Sequence, residues 1–298
     1  MTTQSTLPAG QAVQTVQTTL RPMRPEDLAS CHAMSLHLYW PHRLADWQFH
    51  HQVSSSWAVE LEEPDGTRSV AGSGMLCPLG DDYASLGLVI ITDALQGRGL
   101  GRAMMQRLLQ DAGTRNVILN ATEAGRPLYE KLGFVVTDTL SQHQSTTARA
   151  TPVLAAGARI RPLRKDEVPY LLALDRQARG MDRSALLVPL LDTSEVAVLE
   201  QAGQVKGVAY LREFGRGRVI GPVIASNVED AKTLIAYWIN AYPGAYLRID
   251  VPGRTGLKPW LEEIGLTCVD NVVSMCRGTP PAPATAWRTY SMINQALG

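Results

Sequence analysis

Three glycines stand at alternate positions in the stretch Gln96-Gly-Arg-Gly-Leu-Gly-Arg102. Glycine has no Cβ atom, so a loop of this composition lets its backbone come close to another molecule. Leu100, Met104 and Leu108 follow at the spacing of one helix face. The stretch therefore predicts a loop that leads into a helix. Free N–H groups at such a helix start bind anions, above all phosphate groups.

Two common phosphate motifs are excluded by the details of this loop. It lacks the Gly-Lys-Ser/Thr ending of a nucleoside triphosphate loop, and its glycine spacing differs from the fingerprint of dinucleotide-binding proteins. The acidic residue that this fingerprint needs at the end of a second strand is not evident. For this stretch alone, a purely structural turn between a strand and a helix remains the alternative.

A second motif follows along the chain. Residues 116–122 read Asn-Val-Ile-Leu-Asn-Ala-Thr and predict a strand, and the next segment ends in Tyr129-Glu-Lys-Leu-Gly-Phe134. The two motifs, in this order, resemble the GCN5-related N-acetyltransferase (GNAT) superfamily. Its acetyl-CoA loop reads Gln/Arg-x-x-Gly-x-Gly/Ala, and its second motif reads Tyr-Glu-x-x-Gly-Phe. The resemblance directly covers residues 18–140.

The resemblance implies that acetyl-CoA is the co-substrate and that no metal takes part. The backbone of the apolar run before the loop would pair with the pantetheine arm, and the loop N–H groups would hold the pyrophosphate. Asn120 would line the wedge in which the coenzyme lies. The implied coenzyme-binding residues are Val89, Ile90, Ile91, Gln96, Gly97, Arg98, Gly99, Leu100, Gly101, Arg102, Asn120 and Tyr129.

Tyr129 and His143 are the predicted catalytic residues. Tyr129 matches the residue that protonates the departing thiolate in this superfamily, the alternative being a tyrosine that only packs on its helix. His143 belongs to a Gln-His-Gln segment that sits in the same place in similar tandem acetyltransferases, the alternative being a surface histidine. A histidine titrates near pH 7, as a general base should. The base stays open among His143, Asp81, Asp82, Glu123 and a water relay.

The segment between residues 35 and 53 is rich in aromatic residues and histidines. In the superfamily this region overhangs the acceptor site. A rigid aromatic wall, a donor and a carboxylate together suit a small ligand, although about half of these aromatic residues would equally serve the core. The predicted acceptor contacts are Trp40, His42, Arg43, Asp46 and Trp47. The histidine spacings match no metal site.

Composition sets outer bounds on function. The chain has 298 residues and no net charge, which suggests about two domains of ~150 residues and argues against nucleic-acid or anionic-membrane partners. Four cysteines are scattered without a Cys-x-x-Cys pair, as expected for thiols in a reducing cytoplasm. The first 20 residues have no basic start and no apolar centre, so no signal peptide is predicted. No apolar run reaches the ~18 residues of a membrane helix.

Three stretches of the first half return in order in the second. Leu20-Arg-Pro-Met-Arg matches Ile160-Arg-Pro-Leu-Arg, Gly74-Met-Leu matches Gly207-Val-Ala-Tyr, and Tyr129-Glu-Lys-Leu-Gly matches Leu261-Glu-Glu-Ile-Gly. These repeats predict a duplicated fold. The expected class is α/β (α+β), with two tandem GNAT-like domains, each a mixed, mainly antiparallel twisted sheet flanked by helices. The predicted bounds are a disordered tail over 1–17, a catalytic domain over 18–145, a linker over 146–158, a degenerate domain over 159–278, and a tail over 279–298 with a short amphipathic helix.

The second copy is degenerate where the chemistry matters. Its central helix is predicted to begin at Asn227-Val-Glu-Asp230 with no glycine loop, and Leu261 replaces the tyrosine. Acidic residues oppose a pyrophosphate at a helix start, so we expect this half to bind coenzyme A poorly or not at all. Met181-Asp-Arg183, Arg212 and Arg216 are candidates to face the first domain and shape the acceptor pocket, or else are solvated charges.

The sequence thus predicts an acetyl-CoA-dependent N-acetyltransferase. The acetyl group would move to the primary amine of a small, amino-acid-like molecule or other metabolite by direct attack in a ternary complex. The alternatives are a protein lysine acetyltransferase and a non-catalytic acyl-CoA sensor. We expect a cytoplasmic monomer or homodimer. The identity of the acceptor and the acyl-chain preference do not follow from the sequence.

Overall fold

A computed structural model describes residues 17–298, so the predicted tail lies outside the described residues except for residue 17. The strands are β1 Gln17–Pro22, β2 Ser55–Glu62, β3 Arg68–Leu79, β4 Tyr83–Ile91, β5 Asn116–Ala121, β6 Val135–Ser145, β7 Ala158–Pro162, β8 Ser194–Gln201, β9 Gln204–Phe214, β10 Gly217–Ala225, β11 Leu247–Pro252, β12 Thr267–Arg277 and β13 Arg288–Ser291. The helices are α1 Leu28–His37, α2 Leu44–Gln52, α3 Leu100–Ala112, α4 Arg126–Lys131, α5 Val168–Arg179, α6 Ser184–Leu191, α7 Val228–Ala241 and α8 Lys258–Glu263.

The two halves of the chain repeat one order of elements. Strand, two helices, three strands, helix, strand, helix and strand run from β1 to β6 and again from β7 to β12. Among the strands of residues 17–298, the β4–β5 and β10–β11 pairs are parallel and the other pairs are antiparallel. The duplication and the mixed, mainly antiparallel fold class predicted from the sequence are therefore confirmed.

The two repeats share one continuous sheet. Its strand order is β1-β2-β3-β4-β5-β12-β6-β11-β10-β9-β8-β7, with β13 beside β10. Strand β12 of the second repeat lies between β5 and β6 of the first, and β6 lies between β12 and β11. Each repeat thus inserts its last strand into the other. Residues 146–157, within the predicted linker, contain no helix or strand.

Strands β4 and β5 pair for only part of their length. Residues 83–86 lie opposite residues 116–119, and beyond Leu86 the two strands separate. Just past this point the β4 backbone is irregular: its register against β3 shifts, and Leu88 has a left-handed φ of 53°. An open wedge therefore exists between two strands at the centre of the sheet. The helix after β4, α3, closes one face of the sheet by burying Met104, Met105 and Leu108.

The predicted C-terminal helix is wrong. Residues 288–291 instead form β13, which pairs antiparallel with β10. Thr289, Tyr290 and Ser291 are all buried, because β13 lies where β10 and β11 diverge and has protein on both faces. Unpaired strand edges offer hydrogen bonds to any extended segment that reaches them. That tertiary context overrides the helical spacing of the apolar residues.

After β13 the chain crosses to the base of the first wedge. Ser85 Oγ donates to the Ala296 carbonyl at 2.8 Å, and Asn120 Nδ2 donates to the Gln295 carbonyl at 2.7 Å. At the end of this segment, the buried Arg183 donates from Nη1 to the Gly298 carbonyl at 2.5 Å. Its Nη2 forms a buried ion pair with Asp175 at 2.6 Å. The second repeat therefore anchors a segment that closes the floor of the first repeat's wedge.

This packing yields a first prediction, at Gly87. A Cβ atom at this position would lie 2.6 Å from the Ala296 Cβ and 2.9 Å from its Cα. We expect Gly87→Ala to lower the free energy of unfolding by about 1–3 kcal/mol, as overpacking usually does. Adding Ala296→Gly should recover part of the loss, because the Cβ–Cβ clash disappears. Denaturant unfolding of both single variants and the double variant measures this coupling.

Gly101→Ala is the matched control for that series. Its new Cβ would meet Leu128 at an ordinary 3.6 Å, so stability should stay level or rise slightly in this helix. Strictly additive effects of Gly87→Ala and Ala296→Gly would contradict the proposed contact.

Candidate active site

A cavity of about 1000 Å³ occupies the wedge between β4 and β5. Both repeats contribute to its walls. The first repeat supplies the glycine loop, the outer part of β4, the start of α4 and the segment after α1. The second repeat supplies the β9–β10 turn, part of β11 and β12, and the segment after β13. Its polar and charged lining includes Tyr39, His42, Gln96, Arg102, Asn120, Thr122, Tyr129, Gln142, Gln144, Arg216, Arg248, Asp270, Asn294 and Gln295.

The glycine loop has the geometry of an anion site. Gly97 and Gly99 have left-handed φ angles of 76° and 80°, which favour glycine. Helix α3 begins directly after Gly99, and its first helical hydrogen bond runs from the Ala103 N–H to the Gly99 carbonyl at 3.0 Å. No described side chain caps this end. The first N–H groups of the helix are therefore free for a ligand, together with the positive end of the helix dipole.

The side chains of the loop have different tasks. Gln96 folds back, and its Nε2 donates to the Ile91 carbonyl at 3.1 Å and to Asp93 Oδ1 at 2.9 Å. It thereby braces the loop against the end of β4. Arg102 lines the cavity, whereas Arg98 is exposed and does not. Of the predicted loop residues, the structure thus gathers all but Arg98 around the cavity.

Beyond Leu86 the edge of β4 that faces β5 has no strand partner. Val89, Ile90 and Ile91 all line the cavity along this edge. Unpaired N–H and C=O groups of an open strand edge accept an extended ligand as an added strand. A pantetheine arm carries two amide groups and fits this requirement. The three residues thus lie at an open strand edge, and their predicted role toward the pantetheine arm stays a prediction.

Tyr129 lies on α4 and reaches the cavity. Its ring packs edge-on against Phe134 at a centroid distance of 6.0 Å. No hydrogen bond joins its hydroxyl to another residue of the described chain. Burial raises the pKa of Tyr129 to about 12, which keeps the phenol in its proton-donating form over the whole physiological range.

Asn120 lines the cavity, but its amide is already engaged. Its Nδ2 donates to the Gln295 carbonyl, and its Oδ1 accepts from Ser274 Oγ at 2.7 Å. The side chain therefore ties β5 to β12 and to the floor segment. These two bonds use one of the two N–H groups and one of the two lone pairs of the amide, and they fix its orientation at the cavity.

His143 does not line the cavity, contrary to its predicted catalytic place. It is fully buried in β6, with Nδ1 bonded to the Leu266 carbonyl at 2.9 Å and Nε2 to Ser141 Oγ at 3.0 Å. Burial lowers its pKa. Its neighbours Gln142 and Gln144 line the cavity instead, because side chains alternate between the two faces of a strand. The Gln-His-Gln segment therefore does reach the site, but through its two glutamines and not through His143.

The other candidate bases also lie away from the cavity lining. Asp81 and Asp82 are exposed in the β3–β4 turn, and Glu123 is exposed between the two lining residues Thr122 and Ala124. Of the alternatives left open by the sequence, a water relay is the one that needs none of these side chains at the cavity.

The predicted acceptor residues divide into two groups. Trp40 and His42 line the cavity, whereas Arg43, Asp46 and Trp47 do not. Trp47 is fully buried, and its indole N–H donates to Ser35 Oγ at 3.0 Å. It is a core residue, as the alternative interpretation of this aromatic segment held.

Arg43 and Asp46 join the two repeats. The Asp46 carboxylate accepts from the Arg43 backbone N–H at 2.8 Å and from the Gly215 N–H at 2.9 Å. Arg43 also forms an ion pair with Glu213 at 2.7 Å. These contacts fix the lining segment 38–42 against the β9–β10 turn of the second repeat, so both residues position the wall without belonging to it.

Two of the second-repeat candidates also have structural roles. Arg183 is buried in the pair with Asp175, and Arg212 lies behind the cavity wall, donating to the Ile293 carbonyl at 3.2 Å. Arg216 does line the cavity, as predicted, together with Arg248, which sequence reasoning missed. Arg248 stands on β11, and only the exchange of β6 into the second repeat brings that strand to the cavity. No local sequence signal marks it.

The equivalent wedge of the second repeat is filled. Strands β10 and β11 pair only at two positions, residues 218–219 with 247–248, and β13 then occupies the gap. Helix α7 begins with a side-chain cap, since Asn227 Oδ1 accepts from the Asp230 N–H at 2.9 Å. A strand of the chain itself therefore replaces the ligand there, and a capped, acidic helix start replaces the glycine loop. Both features support the expectation of poor coenzyme binding by this repeat.

Metal ligands, membrane-spanning helices and disulfides were also sought among residues 17–298. Residues 17–298 contain no group of three or more His, Cys, Asp or Glu side chains that could hold a metal ion. Among the same residues, no helix has both the length and the apolar character needed to cross a membrane. All four cysteines are free thiols.

Comparisons with known proteins agree with this geometry. Two family models, each described as an acetyltransferase (GNAT) domain, match residues 54–136 and 171–291. No curated protein sequence matches the chain.

Solved structures share the fold over nearly the whole chain. A putative acetyltransferase from Pyrococcus horikoshii has 19% identity and a TM-score of 0.75, covering 94% of this chain and 96% of its own. A GCN5-related N-acetyltransferase from Sphaerobacter thermophilus has 15% identity and a TM-score of 0.64, with coverages of 90% and 98%. A tandem GNAT protein from the clavulanic acid biosynthesis pathway has 12% identity and a TM-score of 0.63, with coverages of 90% and 100%.

The two domain matches fall one in each repeat, and the shared fold extends across both. This chain therefore belongs to the GNAT acetyltransferase superfamily, as a tandem protein with two GNAT domains.

Proposed function

We propose that this protein is an acetyl-CoA-dependent N-acetyltransferase whose acceptor is the primary amine of a small molecule. One observation carries the proposal: the glycine loop, the free edge of β4 and Tyr129 all face a single cavity. The loop suits a pyrophosphate and the strand edge suits the amides of pantetheine. Their order along the wedge would bring the thioester end of the coenzyme toward Tyr129 and the acceptor side.

Acetyl-CoA supplies an activated acyl carbon. The amine nitrogen of the acceptor forms a bond to this carbon, the C–S bond breaks, and the amine loses a proton. The chain's own part is to hold both partners in reach and to stabilise the charges that develop. A backbone N–H near the Leu88 irregularity would polarise the acetyl oxygen, and the Tyr129 hydroxyl would protonate the departing sulfur. The amine proton would leave through water, because none of the predicted basic side chains lines the cavity.

A small acceptor is favoured over a lysine on a protein surface. The cavity is bounded by the β9–β10 turn, by β12 and by the segment after β13, in addition to the first repeat. These walls narrow the acceptor side, whereas a protein substrate needs an open groove in which its backbone can lie. The non-catalytic sensor is the other alternative, and the experiments below separate it from an enzyme.

The remaining expectations belong to the same proposal. We expect the enzyme to act in the cytoplasm, where thiols such as those of Cys31 and Cys77 stay reduced. We expect a monomer or homodimer without nucleic-acid or membrane partners, in keeping with the zero net charge.

The coenzyme site is tested by thermal unfolding with and without acetyl-CoA. A ligand present at 100 times its Kd raises the free energy of unfolding by about 2.7 kcal/mol, so the wild type should show a clear rise in Tm. Gly99→Glu should abolish the rise, because its carboxylate would oppose the pyrophosphate at the start of α3.

Gly113→Glu is the matched control for this experiment. Gly113 follows the opposite end of α3, has a φ of 63°, and faces open space as Gly99 does. Its ψ of −124° suits a side chain less than the ψ of 0° at Gly99, so Gly113→Glu should lose at least as much intrinsic stability and still keep the acetyl-CoA response. An unchanged Tm for the wild type with acetyl-CoA would exclude the proposed function.

The role of Tyr129 is tested by Tyr129→Phe in steady-state kinetics. Loss of a general acid lowers kcat by about 10² or more, while KM for acetyl-CoA should change little. The fold should be unaffected, since no described residue bonds to the hydroxyl. Tyr170→Phe, at an exposed position on α5, is the control and should retain wild-type rates.

The pH dependence gives an independent check on Tyr129. Because burial raises its pKa to about 12, the donor form persists at all lower pH values. Deprotonation of Tyr129 should therefore not lower kcat between pH 8 and 10.

A Tyr129→Phe variant that acetylates amines at the wild-type rate would show that another group protonates the sulfur. No acetylation of any amine by the wild type, despite coenzyme binding, would favour the sensor.

A further inference from the structure

Both repeats build the acceptor side of the cavity. The second repeat contributes Phe214, Arg216 and Arg248 to the lining. The first repeat contributes His42, whose ring lies 5.5 Å from that of Phe214, and Gln144, which pairs with Arg248 in the β6–β11 register. A sequence-degenerate repeat that has lost its own coenzyme wedge thus supplies two cationic side chains to the other repeat's site. Their hydrogen bonds and charges indicate what kind of acceptor they would bind.

Arg248 has one guanidinium nitrogen, Nη1, that forms no hydrogen bond within the described chain. Its Nε and Nη2 form a bidentate pair with Asp250 at 2.9 and 2.7 Å. Its Nη1 has no hydrogen-bond partner within residues 17–298, although the side chain is 7% exposed and lines the cavity. The Asp250 pair fixes the guanidinium plane, so the remaining N–H groups are held in a set direction for a ligand.

Arg216 stands exposed in the turn between β9 and β10, at the same wall. It forms no ion pair with any described carboxylate, in contrast to Arg43 and Arg248. Its turn is held in place from the first repeat, because the Gly215 N–H donates to Asp46. An arginine without a protein partner on a positioned turn is available to a ligand.

A third arginine adds to the positive field. Arg212 is buried beside Phe214, 4.7 Å from the ring centroid to its guanidinium carbon, and Arg248 is 5.2 Å from the same ring. The Nε of Arg212 has no hydrogen-bond partner among residues 17–298, and no described carboxylate forms an ion pair with Arg212. The pKa of His42 is lowered to about 4, first by burial and then by the charge of Arg248. Arg212 lowers this pKa further, and Asp46 raises it.

The carboxylates around this wall do not balance its arginines. Asp46 pairs with Arg43, Asp250 pairs with Arg248, and Glu213 lies outside on Arg43. Asp270 is the one acidic side chain among the lining residues of the described chain. An amine that also carries an anionic group would meet both signs of charge. A buried cation gains most from an anion that enters the same dry space.

We propose that the acceptor is an amino acid or a similar small amine bearing a carboxylate, and that Arg216 and Arg248 bind this carboxylate. The proposal rests on the proposed function and names its substrate class. The planar carboxylate matches the fork of a guanidinium. Gln144 lies opposite Arg248 in the β6–β11 register and would therefore lie beside the carboxylate. Gln142, two residues away on the same strand and bonded to Gln295, would lie toward the amine end.

The test compares matched acceptor pairs that differ only in the carboxylate. L-phenylalanine is compared with phenethylamine, L-lysine with cadaverine, and L-leucine with isoamylamine, each by kcat/KM at saturating acetyl-CoA. We expect the carboxylate member to be preferred in at least one pair by about tenfold or more, as a charged hydrogen bond provides. O-phosphoethanolamine, a phosphate-bearing amine, is included to distinguish the two kinds of anion.

Arg216→Gln should raise KM for the carboxylate acceptor by about tenfold and change kcat/KM of the paired amine much less. Arg216→Glu should reverse the preference. Arg254→Gln is the control, since Arg254 lies outside the cavity lining, in an exposed pair with Asp138. Arg248→Lys keeps the charge and removes the fork, so it should show the same KM effect. Its folding is checked by the Tm rise with acetyl-CoA.

The outcomes separate this inference from the proposed function. If amines without a carboxylate are acetylated as well as their partners, or if Arg216→Gln affects both members equally, the carboxylate site is wrong and the acetyltransferase stands. Preference for the phosphate-bearing amine overturns it as well. If no amine is acetylated although the coenzyme binds, the proposed function itself fails.

Discussion

The separation of β4 from β5 is the constraint on which the rest of the structure depends. Backbone N–H and C=O groups inside a protein need partners, and the two strands supply them to each other only as far as residues 83–86 and 116–119. Beyond that point the β4 edge must be satisfied by something else. In the first repeat a cavity leaves the edge open to an extended ligand, and the segment at Gln295 and Ala296 closes its base.

The second repeat meets the same constraint in another way. Its central strands also separate, after two paired positions, but β13 enters the gap and bonds to β10. Because one strand cannot hold both a ligand and β13 on the same edge, this repeat has no room for a coenzyme. The second repeat therefore differs from the first in two ways: it lacks the sequence motifs, and a strand fills its wedge. The stretch that fills one wedge continues directly to form the floor of the other.

The sequence predicted the features that depend on local chemistry. The glycine loop before α3, the place of Tyr129 and the duplicated order of elements all follow from short-range patterns. The predictions for Trp47 and His143 were wrong, because both side chains are buried away from the cavity lining. Composition alone cannot distinguish a wall residue from a core residue, and a strand position shifts from one face to the other with each residue.

The pairing of strands that are far apart in the chain could not be predicted from the sequence pattern. The exchange of β6 and β12 depends on which edges are free once both repeats have folded, and nothing in either strand's pattern specifies its neighbour. The stretch 286–297 carries apolar residues at a spacing that suits a helix, yet the gap beside β10 draws residues 288–291 into a strand. The cavity role of Arg248 follows from the same exchange. Tertiary context, rather than propensity, thus determines most of the acceptor side.

The strand exchange makes the second repeat part of the sheet that holds the first repeat's site. The β5 edge of the first repeat pairs with β12, and β6 pairs with β11, so removing the second repeat would expose the centre of the sheet to solvent. The same arrangement places side chains of the second repeat opposite the first repeat's glycine loop. Freed from holding a coenzyme, β11 and the β9–β10 turn can vary to fit an acceptor. Under the proposed function, the first repeat would supply the donor site, and side chains of the second would contact the acceptor.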